Sequence, residues 1–274
     1  MTLANFAAAA FEAACLAELE AIKPGNVHVF ADGHGMVVED FVRSAHTAAP
    51  VIAQEGLSIG QRILRATEAT WDAVGCNTNL GIVLLSAPLV HAAMHEMALE
   101  DVLSGLTRQD AADAFRAIVK AAPAGLGQGM RHDVHDVPQV TLLEAMREAA
   151  GRDRIAWQYA HAYDDILQFG AARYREAMQR WGNNSWALTA VFLGFLARFP
   201  DTHVVRKHGS AVAEVLRSEA IHHEWSFMGC DNPRTYLGEL LRFDARLKKD
   251  ALNPGTSADL TVATVLVVTL EKNV

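Results

Sequence analysis

Apolar residues recur three and four positions apart along almost the whole chain, a spacing that predicts helix after helix rather than alternating strands. Helices are expected over 3–19, 38–53, 58–74, 80–97, 107–121, 141–150, 153–179 and 186–199. Three more are expected towards the end: one behind a cap at Asp201 or Thr202 and running through Ala220, one from Asn232 towards Lys249, and an apolar terminal helix. Pro24 and Gly25 stop the first, and Pro88 should kink 80–97 or mark its first-turn boundary. Segment 186–199 is almost wholly apolar and should lie deep. Tyr159, Tyr163, Ile166, Leu167 and Phe169 are packing candidates within 153–179. The expected architecture is an all-α, single multi-helix domain spanning 1–274.

Five polar stretches interrupt this pattern and hold the candidate chemistry. Residues 23–36 carry Lys23, Asn26, two histidines including His34, and three glycines, which suits either a functional loop or a turn. Gly75 closes a helix, and Asn77, Thr78 and Asn79 precede Leu80 and Gly81, where they serve as a plain cap or as the seat of an anion at a helix start. Residues 123–138 are rich in glycine; Asp133 and Asp136 with His132 and His135 suit a divalent ion or a solvated loop. Asp201, Thr202, Arg206, Lys207 and His208 crowd ahead of Gly209; arginine forks two phosphate oxygens and lysine adds a point charge, so a polyphosphate is a fitting ligand. Asn253, Gly255, Thr256 and Asp259 form the last polar helix entry. His91 and His95 share a helix face, but the HExxH order and an evident third ligand are both missing, which favours ordinary histidines over a metal pair.

Composition narrows the function classes. The 274 residues are 51% hydrophobic and 20% charged, as in an ordinary globular protein, and 24 basic against 32 acidic residues give a net charge of −8. That balance argues against a general nucleic-acid binder and leaves room for a local basic pocket. Cys15, Cys76 and Cys230 have no metal or disulfide spacing, which points to a reducing cytoplasm. Residues 1–22 lack a basic secretory start, and the apolar runs 80–90 and 262–270 are too short to span a bilayer, so no membrane association is expected. Neither a dinucleotide-binding nor a Walker-type glycine motif occurs.

Taken together, Lys23 to Val27, Gly33 to Met36 with Asp40, Phe41, Ser44 and Ala45, Asn77 to Gly81, Asp201 and Thr202 with Arg206 to Gly209, and Asn253 to Leu260 resemble the triphosphoribosyl-dephospho-CoA synthase family over almost the whole chain. The resemblance implies an all-helical enzyme that moves the triphosphoribosyl group of ATP onto the ribose 2′-hydroxyl of dephospho-CoA and releases adenine. It implies phosphate contacts from Lys23, Arg206 and Lys207, and a nucleotide-orienting wall at Asn77 to Asn79. Asn26, Gly81, Thr202, His208, Asn253, Gly255 and Thr256 join them as substrate-binding candidates. Mg2+ is expected on Asp133, Asp201 and Asp259, with Asp201 or His34 as the acid-base group. Where characterised synthases tend to read Asn-Thr-His-Lys-Gly, this chain has Asn79 and Leu80, a version that resembles members associated with one-carbon cofactors of the methanopterin or methanofuran type. A different acceptor in that chemistry is therefore a second expectation, and a noncatalytic nucleotide-binding protein a third. The abundance of apolar helices is compatible with a homodimer.

Overall fold

A computed structural model describes residues 2–33, 35–121 and 134–271. Among these it contains the helices α1 (Leu3–Leu19), α2 (Val38–Ile52), α3 (Ile59–Val74), α4 (Leu80–His95), α5 (Leu99–Ser104), α6 (Arg108–Ala121) and α7 (Leu142–Ala149). They are followed by α8 (Arg154–Ala160), α9 (Ala171–Trp181), α10 (Asn184–Arg198), α11 (Thr202–His208), α12 (Ser210–Met228), α13 (Leu237–Lys249) and α14 (Gly255–Glu271). A π-helical segment, Asp165–Gly170, precedes α9, and a 3-10 turn, Pro233–Tyr236, precedes α13. The only β pairings among the described residues are two isolated bridges, His28 with Ala31 and Gly33 with Met36. The all-helical expectation is met. The chain groups into two compact units: Met1–Cys15, Asp40–Asp164 and Leu266–Val274 form the first, Leu16–Glu39 and Asp165–Val265 the second.

In the first unit, Ser58 and Gln61 form a capping box that starts α3, and Gly75, at φ +74°, ends it. α3 meets α6 at Gly60, where an added Cβ would stand 2.4 Å from Cα of Asp110. Asp110 accepts from the amides of Gly60 (2.8 Å) and Thr107 (2.9 Å), so the expected cap of α6 also ties it to α3. The core helix α4 continues through Pro88. Proline offers no amide to the carbonyl four residues back, that of Leu84, and the Tyr159 hydroxyl donates there instead at 2.6 Å. The Tyr163 hydroxyl donates to the next carbonyl, Leu85, at 3.0 Å.

The single helix expected over 153–179 is divided into α8, the π-helical segment and α9. Ala162 and Tyr163 take φ values of +49° and +62° at the break. A fully buried phenol needs a partner for its hydroxyl, and the left-handed turn brings Tyr163 to Leu85.

The second unit is built on the buried helix α10, capped by Asn183 and packed against α9 and α12. Gly194 lets the Phe169 ring approach to 2.6 Å of where a Cβ would stand. The helix expected through Ala220 is interrupted at Gly209, whose φ of +86° and ψ of 162° suit glycine alone, and α12 then runs on to Met228. His222, His223 and Glu224, past the expected extent through Ala220, lie inside α12.

Candidate functional site

Three of the five polar stretches are laced together within the second unit. Gly25, at φ +83°, lies so close to the end of α13 that a Cβ would meet the Leu252 carbonyl at 2.6 Å. Its amide donates to Asp244 (2.9 Å), and the Asn26 side chain donates to Asn253 (2.8 Å). Lys23 is fully buried and donates to Glu18, to Asn26 Oδ1 (2.9 Å) and to the Val27 carbonyl (2.8 Å). Burial pushes the Lys23 pKa down and that of Glu18 up, against the attraction between them.

Asp201 is equally enclosed. One carboxylate oxygen caps α11 by accepting from the amides of His203 (3.0 Å) and Val204 (3.2 Å). The other accepts from the Ser257 amide and hydroxyl, both at 2.8 Å, near the start of α14. Burial raises the Asp201 pKa, while the donors from Ser257 and Val204 and the charge of Arg206 pull the other way. Thr256 joins the same junction: its hydroxyl lies 3.0 Å from that of Thr202 and accepts from the His203 amide at 3.1 Å. Gly255 leaves room for the His203 ring, whose Nδ1 would be 2.3 Å from an added Cβ. His208 reaches the Ala251 carbonyl at 3.2 Å. Thr202, His203, Arg206, Gly255 and Asp259 are half-buried, and Lys207 is exposed.

The other polar stretch with described geometry belongs to the first unit. Asn77 caps α4 by accepting from the Leu80 amide at 3.1 Å. Asn79 instead donates to Thr70 (3.1 Å), and Thr78 shares a 2.6 Å hydrogen bond with Ser44. Ser44 in turn donates to the Asp40 carbonyl at 2.6 Å. Burial, and then the charge of Asp40, push the Cys76 thiol up. Gly81 is half-buried in the first turn of α4.

A family profile described as CitG, ATP:dephospho-CoA triphosphoribosyl transferase, matches residues 4–274. The chain belongs to that family. No curated protein and no solved structure matches it. As a triphosphoribosyl transferase it moves the triphosphoribosyl group from ATP to dephospho-CoA, and these are its substrates. Among the described residues no helix is long and apolar enough to cross a membrane.

Within this CitG chain the expected site residues separate into those that reach the surface and those enclosed by the fold. Lys23 was expected on phosphate, but all three of its ammonium hydrogens have protein acceptors in the interior. Asp201 was expected as acid-base group and metal ligand, yet its two oxygens already take four donors and no surface of it is open. Asn26, Asn253 and Thr256 are buried alongside them, whereas Thr202, Arg206, Lys207, His208, Gly255 and Asp259 reach the surface in part or fully. His34 and Asp133 lie outside the described residues. The His91 and His95 rings stack at 4.1 Å, and no group of three metal-ligating side chains gathers among the described residues.

Several contributors were not singled out by the sequence as site residues. Ser257 binds Asp201 from 56 positions away, and Glu18 pairs with Lys23 across the end of α1. Asp244 and Lys248 stand one turn apart on α13; the Asp244 carboxylate meets His28 at 3.3 Å and Lys248 at 3.1 Å. His203 sat inside a recognised motif, but only its contact with Gly255 singles it out.

Proposed function

We propose that the triphosphate of ATP is held at the junction of α11 with the start of α14, Arg206 and Lys207 meeting phosphate oxygens and Thr202 and Gly255 lining the approach, with Thr256 buried behind them. The observation that carries this reading is the double clamp of Asp201, which fastens Ser257 to the first turn of α11 and so keeps a cationic helix beside a polar helix entry. The reaction breaks the bond between adenine and the ribose carbon of ATP and joins that carbon to a ribose hydroxyl oxygen of dephospho-CoA. Positive charge grows on the carbon as adenine leaves, the acceptor hydroxyl loses a proton, and adenine gains one. Fixed phosphate contacts align the donor for that displacement and need no rearrangement as charge develops.

Proton transfer falls to His203 in this reading, because Asp201 has no lone pair to spare and His203 is a half-buried imidazole packed on Gly255. Magnesium supplies charge neutralisation on a triphosphate and keeps much of its water, so one or two carboxylates are enough to hold it. Asp259, half-buried in α14, is the carboxylate that fits. Asn79 and Leu80 are both buried, so the departure of this motif from the characterised synthases is absorbed inside the fold, and the geometry gives no preference for a one-carbon acceptor.

Steady-state adenine release tests the assignment. Arg206→Ala and Lys207→Ala should raise KM for ATP by roughly tenfold or more and leave KM for dephospho-CoA within about twofold, as expected for lost charge-assisted hydrogen bonds. His203→Gln should lower kcat and leave KM for ATP within about twofold. Equal losses towards both substrates, with folding intact by circular dichroism, would place these cations elsewhere.

A further inference from the structure

Four of the twelve large apolar side chains exposed among the described residues, Val212, Val215, Ile221 and Trp225, lie on the single helix α12, and Trp225 is 75% exposed. The opposite side of α12 is ordinary core, with Ala213, Leu216, Ala220 and Phe227 buried. On the open side, Ala211, Glu214, Ser218, Ile221 and Trp225 follow one another at steps of three and four, the spacing of a helix-pairing seam. Val215 and His222 flank that seam and are also exposed.

We infer that α12 pairs with α12 of a second copy of this chain, antiparallel about a two-fold axis at Ser218. Reversing the helix about that residue sets Ala211 opposite Trp225, Val215 opposite Ile221, and Glu214 opposite His222. Small meets large, apolar meets apolar, and a carboxylate meets an imidazole, with a small residue where the helices cross. An open depression of about 450 Å³ lined by Ala211, Glu214, Val215, Ser218 and Glu219 lies where the second copy's indole would fall. The parallel alternative sets Glu214 on Glu214 and indole on indole, which the charges oppose. Arg217 holds Glu214 through three hydrogen bonds, two from Nε at 3.0 and 2.9 Å and one from Nη2, fixing that carboxylate on the seam. An isologous pairing of this kind closes at two copies.

Sedimentation velocity of the full chain over a range of micromolar concentrations tests the inference. Wild type should sediment as a dimer, and Trp225→Glu, a change at an exposed position that spares the core, should raise the dissociation constant roughly thirtyfold or more with an unchanged circular dichroism spectrum. A short bis-thiol cross-linker should join two Ser218→Cys chains but leave Ala211→Cys chains no more cross-linked than wild type, whose own three cysteines set the baseline. A monomer at every concentration, a dimer indifferent to Trp225→Glu, or equal cross-linking of Ala211→Cys would overturn it.

Discussion

At the scale of single residues, Lys23 invites a phosphate-binding reading and Asp201 a catalytic one, and the fold encloses both. A buried ion pair left with one member is destabilised by about 3–5 kcal/mol, so Lys23→Met should cost roughly that, and Glu18→Gln added to it should recover part of the loss by neutralising the stranded carboxylate. Asp201→Asn turns a two-sided acceptor into half a donor and should cost about 2–4 kcal/mol in urea unfolding by orphaning buried donors. A stable Asp201→Asn enzyme that had merely lost kcat would restore Asp201 to proton transfer. The motif containing Asp201 was legible because its residue types crowd together in sequence. Its role was not, because the answer depends on Ser257, a residue whose approach is set by packing and by nothing in the local spacing. Asn79 teaches the same lesson: the order of residues placed it beside a helix start, but only its bond to Thr70 shows that Asn77 does the capping.

At the scale of elements, periodicity located nearly every helix, and it failed where a polar group on another element decided the outcome. The break after α8 is an example, since the apolar pattern runs on through it while Tyr163 turns to reach Leu85. Pro88 is a second, because a missing amide within α4 is offset by a phenol from beyond α8's first turn. That compensation can be measured. Tyr159→Phe should cost about 1–3 kcal/mol by leaving the Leu84 carbonyl without its donor. In a Pro88→Ala background, where position 88 regains an amide, the same change should cost less. A double-mutant cycle showing simple additivity would mean that the hydroxyl and the proline are independent.

At the scale of the whole molecule, the acid limit of stability should be set by histidines before carboxylates. Burial, followed by the charge of His95, lowers the His91 pKa from 6.5 to about 4, and burial lowers that of His28 as well. A folded pKa below the unfolded one means that the fold prefers neutral imidazole. Its contribution is therefore complete above about pH 6.5 and drains away as pH falls towards 4. Asp244, held below the ordinary carboxylate range by His28, the Gly25 amide and Lys248 against the opposing effect of burial, loses its contribution only at lower pH. Denaturant unfolding followed from pH 7.5 to 4 should show a plateau above about pH 6.5 and falling stability below it, and His91→Gln should flatten that slope. An unchanged slope in His91→Gln would assign the acid sensitivity to other groups. His91 belongs to the first unit and His28 to the second, so each unit carries its own acid-sensitive imidazole.

Gly209 has a bearing on how two successive helices are aimed. It separates the seven residues of α11, which carry Arg206 and Lys207, from the long helix α12, whose buried side belongs to the core. A helix uninterrupted between them would bind the direction of those cations to the packing of Phe227 and Leu216. With the glycine in between, the direction of α11 does not follow from the helical register that buries Phe227 and Leu216.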